Sequence, residues 1–159
     1  AEFTSLITSD FDDYLFLING LVPATDGTSF KATLSTDNGS SYLSSNYGYV
    51  VPVTYFIGSS GNGGNNESSS SSDMQLTAES GSDSDSGLTG NLWLWNVNDS
   101  AKRTCMYLSF LTEQQTNIGA AGHGWAFQAV AATHDAVKFN FASGNMASGT
   151  IKMYGIKNS

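Results

Sequence analysis

Asp83-Ser84-Asp85-Ser86-Gly87 sets two carboxylates one residue apart and closes on glycine, a spacing with which a loop can wrap hard oxygen ligands around calcium. Asp83 and Asp85 are therefore the candidate metal ligands, with Asp73 and Glu79 near enough in sequence to join them. The bidentate Glu of an EF-hand loop would fall at position 94, which is Leu94, and no helix is expected beside the loop. The same residues equally describe a solvated polar turn. The two histidines, His123 and His134, lack the short spacing of a zinc pair, and His123 in Gly122-His123-Gly124-Trp125 reads as a turn residue. Serine is abundant, yet no Gly-x-Ser-x-Gly elbow stands ready to present a nucleophile. The candidates for a glycosidase-type carboxylate pair are Asp10, Asp12, Asp13, Asp99 and Glu113, but most sit where turns favour Asp. No catalytic residue and no cofactor motif is read from this inventory. The single cysteine, Cys105, excludes an internal disulfide and a thiolate metal cluster, and its apolar strand makes it a small core residue.

Stacking chemistry is better represented. Trp93 and Trp95 are two apart, so on a strand their rings leave the same face. With Trp125, Tyr47 and Tyr49 they would form a platform for the flat faces of sugars. The competing expectation for Trp93 and Trp95 is that they fill one face of a core. Tyr47 and Tyr49 flank Gly48 and are expected to be exposed, which leaves Tyr47, Tyr49 and Trp125 as the candidate glycan contacts.

The elements that must position these residues are strands. Phe30, Ala32 and Leu34 alternate with Lys31, Thr33 and Ser35, and Val137, Phe139 and Phe141 with Lys138 and Asn140. Ile151 to Gly155 alternates likewise, and Asn38-Gly39 is a hairpin signal. Tyr14–Ile18, Leu92–Trp95 and Met106–Leu111 are apolar on both faces, as in strands covered by a second sheet on one side and by a loop or neighbouring subunit on the other. Tyr49–Ile57, Met74–Ala78 and Trp125–Ala131 are further candidates. No helical stripe with caps is present. About eight to ten short antiparallel strands punctuated by Gly, Asn and Ser predict an all-β sandwich or barrel. Residues 58–72, rich in Gly and Asn and ending in five serines, are expected to form a long exposed loop, and 80–87 a second flexible one.

The chain has 159 residues, suited to one domain, with a formal net charge of −8 and only six Lys and Arg. Duplex nucleic acid and anionic membrane are bound through clustered cations, so neither is an expected partner. No apolar run reaches the roughly 20 residues that a spanning helix needs, and Ala1-Glu2-Phe3 begins no leader-like pattern. Charged residues make up 13%, too few for a coiled coil or charged bundle, while 19 aromatic residues argue against disorder.

Two stretches carry a resemblance. One is Tyr14-Leu15-Phe16-Leu17-Ile18-Asn19-Gly20-Leu21-Val22-Pro23-Ala24-Thr25-Asp26-Gly27, continuing through Leu34 to Tyr42; the other is Phe141 to Lys157, containing Ser143-Gly144-Asn145-Met146-Ala147-Ser148-Gly149-Thr150. Together they resemble small jelly-roll proteins encoded among tailed-bacteriophage virion genes. The resemblance implies a single jelly-roll domain over 1–159 on the virion exterior, at the capsid surface or on the tail. It implies a non-enzymatic structural role as a head decoration, tail-fibre module or host-attachment knob, acting through interfaces with other virion proteins and with itself, commonly as a trimer. It brings no catalytic residues. The alternative expectation is a receptor-binding module for host-surface glycans, and a third is a glycan depolymerase.

Overall fold

The computed structural model describes residues 1–57, 60–114 and 118–157. Among them are eleven strands and no helix: β1 (Glu2–Phe3), β2 (Asp13–Pro23), β3 (Thr28–Ser35), β4 (Tyr47–Ile57), β5 (Ser60–Ser71), β6 (Met74–Ser80), β7 (Leu88–Trp95), β8 (Cys105–Gln114), β9 (Ile118–Gln128), β10 (Ala136–Phe141) and β11 (Met146–Ile156). They form a four-stranded sheet, β1-β10-β3-β6, and a seven-stranded sheet, β11-β2-β7-β8-β9-β4-β5, with every pairing antiparallel. The chain stays in one sheet only through β4-β5 and β7-β8-β9; every other connection crosses to the opposite sheet. The fold is thus an all-β sandwich.

Period-two patterning decides what lies between the sheets. Phe16 and Ile18 of β2, Leu92 and Leu94 of β7, and Met106, Leu108 and Phe110 of β8 point inward and are buried. From the smaller sheet, Phe30, Ala32 and Leu34 meet Met74, Leu76, Phe139 and Phe141. Phe139 stacks on Phe30 at 5.5 Å and meets Phe16 edge-on at 5.1 Å, which ties the two sheets through aromatic contacts. At β9 the layers approach so closely that only glycine fits: a Cβ on Gly124 would collide with the Leu76 carbonyl of the opposite sheet.

Several expectations are corrected here. Of the loop expected over 58–72, positions 58–59 lie outside the described residues, and Ser60–Ser71 is an edge strand, paired with β4 from Ile57↔Ser60 to Tyr47↔Ser71. Its side chains add no apolar burial, and the ladder to β4 supplies what composition does not. Asn38 and Gly39 do adopt left-handed backbone, at φ 56° and 81°, but no hairpin follows, because β3 and β4 lie in different sheets. The Asp37 carboxylate accepts from Ser41 N–H at 2.8 Å and Ser35 Oγ accepts from Gly39 N–H at 2.9 Å, so the turn is closed locally and releases the chain across the sandwich. Residues 80–87 are not a free loop either. Gly81 N–H donates to the Glu113 carbonyl at 2.7 Å, Ser82 N–H reaches Asp26, and Ser86 is buried.

Candidate functional site

The seven-stranded sheet has one face on the core and one facing away from it. On β7, β8 and β9 the outward residues fall into register as four rungs: Trp95–Cys105–Phe127, Trp93–Tyr107–Trp125, Asn91–Ser109–His123 and Thr89–Leu111–Ala121. Two rungs are aromatic, the third is polar without formal charge apart from the histidine, and the fourth is small or aliphatic. The Trp93 rung extends sideways, through Leu15 of β2 to Tyr154 of β11 on one side and to Val50 of β4 on the other. It is an apolar stripe six strands wide, or about 24 Å at the usual strand spacing.

The rings on this face order one another. Trp93 and Trp95 lie nearly parallel, with centroids 6.2 Å apart; Trp95 and Tyr107 follow at 6.3 Å, and Tyr107 and His123 at 5.6 Å. These separations exceed face-to-face contact, so the rings are offset like tiles. Tyr107 is the centre of the array: its hydroxyl is 2.8 Å from His123 Nδ1, and Trp125 leans on it at 58°, centroid to centroid 4.6 Å. Trp125 remains 51% exposed. At the far end, the Arg103 guanidinium lies 5.7 Å from the centre of the Phe127 ring.

Beside the aromatic stripe runs a cleft of about 830 Å³. Its floor carries Asn91, Ser109, His123 and Ala121, and its wall is Pro52 and Thr54 of β4 with Asn65 of β5. No carboxylate, Lys or Arg is among the described residues that line it. A neighbouring cleft of about 590 Å³ is lined by Phe56 and Leu111 together with Asp85 and Glu113.

The candidate residues sort clearly against this geometry. Trp125 stands on the outer face. Tyr47 does not: it is 0% exposed, its oxygen accepts the Leu34 N–H at 2.9 Å, and burial raises its phenol pKa above the ordinary value. Tyr49 also points inward and packs against the core. The outward position between them is Gly48, and the Phe127 ring lies over it, where a Cβ would meet Cζ at 2.5 Å. Trp93 and Trp95, expected in the core, are on the outer face, because Leu92 and Leu94 fill the inner one. Cys105 is likewise on the outer face, half-buried rather than in the core. Burial raises its thiol pKa, opposed only by the charge of Arg103, so its thiolate is disfavoured. Asp83 and Asp85 are exposed in a turn, Asp73 is paired with Lys31 at 3.0 Å, and no group of three His, Cys, Asp or Glu is poised for a metal among the described residues.

His123 was read as a turn residue and belongs to strand β9 instead. Tyr107, Asn91 and Ser109 carried no sequence signal of their own; their place follows only from register with Trp93 and Trp125. The second histidine, His134, is buried, with Nδ1 2.8 Å from Thr104 Oγ1, and is remote in kind from the exposed array.

Comparison with known proteins adds no relative: no family model, curated protein or solved structure matches the chain.

Proposed function

We propose that the protein is a non-catalytic recognition domain that binds carbohydrate on the outer face of its seven-stranded sheet. The observation that carries this reading is the adjacency, on β7, β8 and β9, of an aromatic rung and an uncharged polar rung. Sugar rings have apolar C–H faces and hydroxylated edges. A surface that offers ring faces on one row and Asn, Ser and His on the next matches both at once. The phage resemblance supports a setting on the exterior of a tailed-phage virion, with the jelly-roll wiring of that family, where such a face would engage host-surface glycans.

The test is binding of the purified protein to host cells and to their extracted polysaccharide, with reducing-sugar release followed in parallel. Saturable binding with no release is the expected result. Failure to bind either would remove the reading, and sugar release would replace it with a depolymerase.

A second reading, a decoration or fibre subunit built into a homo-oligomer, is favoured by Leu111 at 64% and Phe56 at 60% exposure, which share one cleft. Light scattering at micromolar concentration separates the two: a stable trimer supports assembly through these side chains, and a monomer leaves them to other virion proteins.

A further inference from the structure

Resting on the carbohydrate reading above, we infer that the ligand is an extended, uncharged glycan chain lying across the strands, along the stripe from Tyr154 to Val50, with Asn91, Ser109 and His123 as its specificity residues. Three observations lead there. The apolar rung is continuous over six strands, about 24 Å, which is longer than any single sugar. Both ends are exposed, at Tyr154 (47%) on β11 and at Val50 on β4 with Glu67 of the edge strand β5 beyond it, so a chain can enter and leave rather than end in a pocket. The polar rung runs parallel to the stripe, one residue pair away, or about 6.6 Å along the strands, so one ring can stack on the aromatic row and reach the polar row with its hydroxyls.

The polar rung also has a defined hydrogen-bonding character. Asn91 offers both a donor and an acceptor, and Ser109 either. His123 holds Nδ1 against the Tyr107 hydroxyl, which leaves Nε2 directed to other partners. Tyr107 therefore couples the two rows: it is stacked in the aromatic one and hydrogen-bonded to the polar one. On β7, β8 and β9 neither row carries a carboxylate or a basic side chain; in register with them at the two sides of the sheet stand one cation, Lys152 of β11, and one carboxylate, Glu67 of β5, and the protein's net charge of −8 repels polyanions.

All three tryptophans, Trp93, Trp95 and Trp125, stand on this face, so their emission reports on it directly. The experiment is fluorescence titration with neutral glucan and galactan oligosaccharides, from the monosaccharide to the octasaccharide, and with oligogalacturonates of the same lengths. Affinity is expected to climb with length and then level off once the stripe is covered. Oligogalacturonates are expected to bind several-fold more weakly at low salt, with the gap closing as salt rises. Trp125→Ala is expected to weaken the octasaccharide about tenfold, with Trp125→Phe recovering most of it. Tyr154→Ala, at the far end, should lower the plateau and leave the shortest binders unchanged, and Asn91→Ala or Ser109→Ala should cost about fivefold. Unchanged unfolding midpoints verify that these surface variants fold. Length-independent affinity, an unaffected plateau in Tyr154→Ala, or preference for oligogalacturonates at every salt concentration would overturn the extended neutral chain while leaving carbohydrate binding intact. No response to any oligosaccharide would overturn both.

Discussion

The two faces of the seven-stranded sheet are built from the same strands yet by opposite rules. Inward, β7 and β8 place Leu92, Leu94, Met106 and Leu108, flexible aliphatic side chains that interdigitate with the phenylalanines of the smaller sheet. Outward, the alternate residues are Trp93, Trp95, Tyr107 and, on β9, Trp125, the largest rings of the chain, left partly in contact with water. Size alone would have sent the tryptophans inside. A stable sandwich of this spacing is satisfied by leucine and phenylalanine, and rings kept on the surface are available for contact with something else.

The comparison breaks first at the core. Phe16→Ala removes a ring that is fully buried and in contact with Phe3 and Phe139, and it should lower unfolding free energy by about 3–5 kcal/mol, read from urea denaturation. A loss below about 1 kcal/mol would mean that the inner face is not the structural one. Gly124→Ala tests the closest approach of the layers: overpacking against the Leu76 carbonyl should cost about 1–3 kcal/mol in the same assay, and wild-type stability would show that β9 can step back. Trp93→Ala, on the outer face, is expected to cost about 1–2 kcal/mol, less than the fully buried Phe16, since it gives up stacking with Trp95 and a ring that water still partly reaches, while weakening glycan binding severalfold. A stability loss as large as that of Phe16→Ala would make the outer rings a second core.

The smallest effect is a pH dependence that belongs to the inner region. Burial lowers the pKa of His134 from its ordinary value of 6.5, with Asp135 opposing, and its Nε2 meets no partner among the described residues. The folded protein therefore takes up this proton at lower pH than the unfolded chain does. Between those two values the unfolded state binds more protons, so stability is lost as pH falls below about 6.5. The urea midpoint should drop modestly between pH 7.5 and pH 5.5, and His134→Asn should flatten that part of the profile. An equal slope in the variant would assign it to carboxylates.

What was legible in the sequence was periodicity, and what was not was which phase of it faces inward. Phe30, Ala32 and Leu34 alternate with polar residues, so β3 could be oriented from sequence alone. Leu92-Trp93-Leu94-Trp95 alternates between two apolar sets, and nothing local says which is the core; the opposing sheet decides. Tyr47 and Tyr49 failed for a related reason, because the glycine between them suggested exposure when it marks the place where Phe127 crosses over. The acids of the Asp83 loop could be found by spacing, but among the described residues no third His, Cys, Asp or Glu joins them, since such a partner would have to be brought from elsewhere in the chain. Trp125 was found because its exposure needs only a strand and a polar neighbourhood. The pairing of Tyr107 with His123 was not legible because it exists only across the ladder. The strand Ser60–Ser71 was missed because its stability comes from its partner rather than from its own composition.

That strand has a consequence for tolerance of insertions rather than for binding. Between Tyr47↔Ser71 and Tyr49↔Ser68 the ladder shifts register, with two residues of β4 spanning what takes three steps of β5. The irregularity falls inside a run of identical serines, so no particular serine is required to be the bulged one. Inserting or deleting one serine there changes only the size of a bulge that already exists. The outer edge of the sheet can thus absorb a change of length while Trp125, Tyr107 and Trp93, two, three and four strands inward, keep their places.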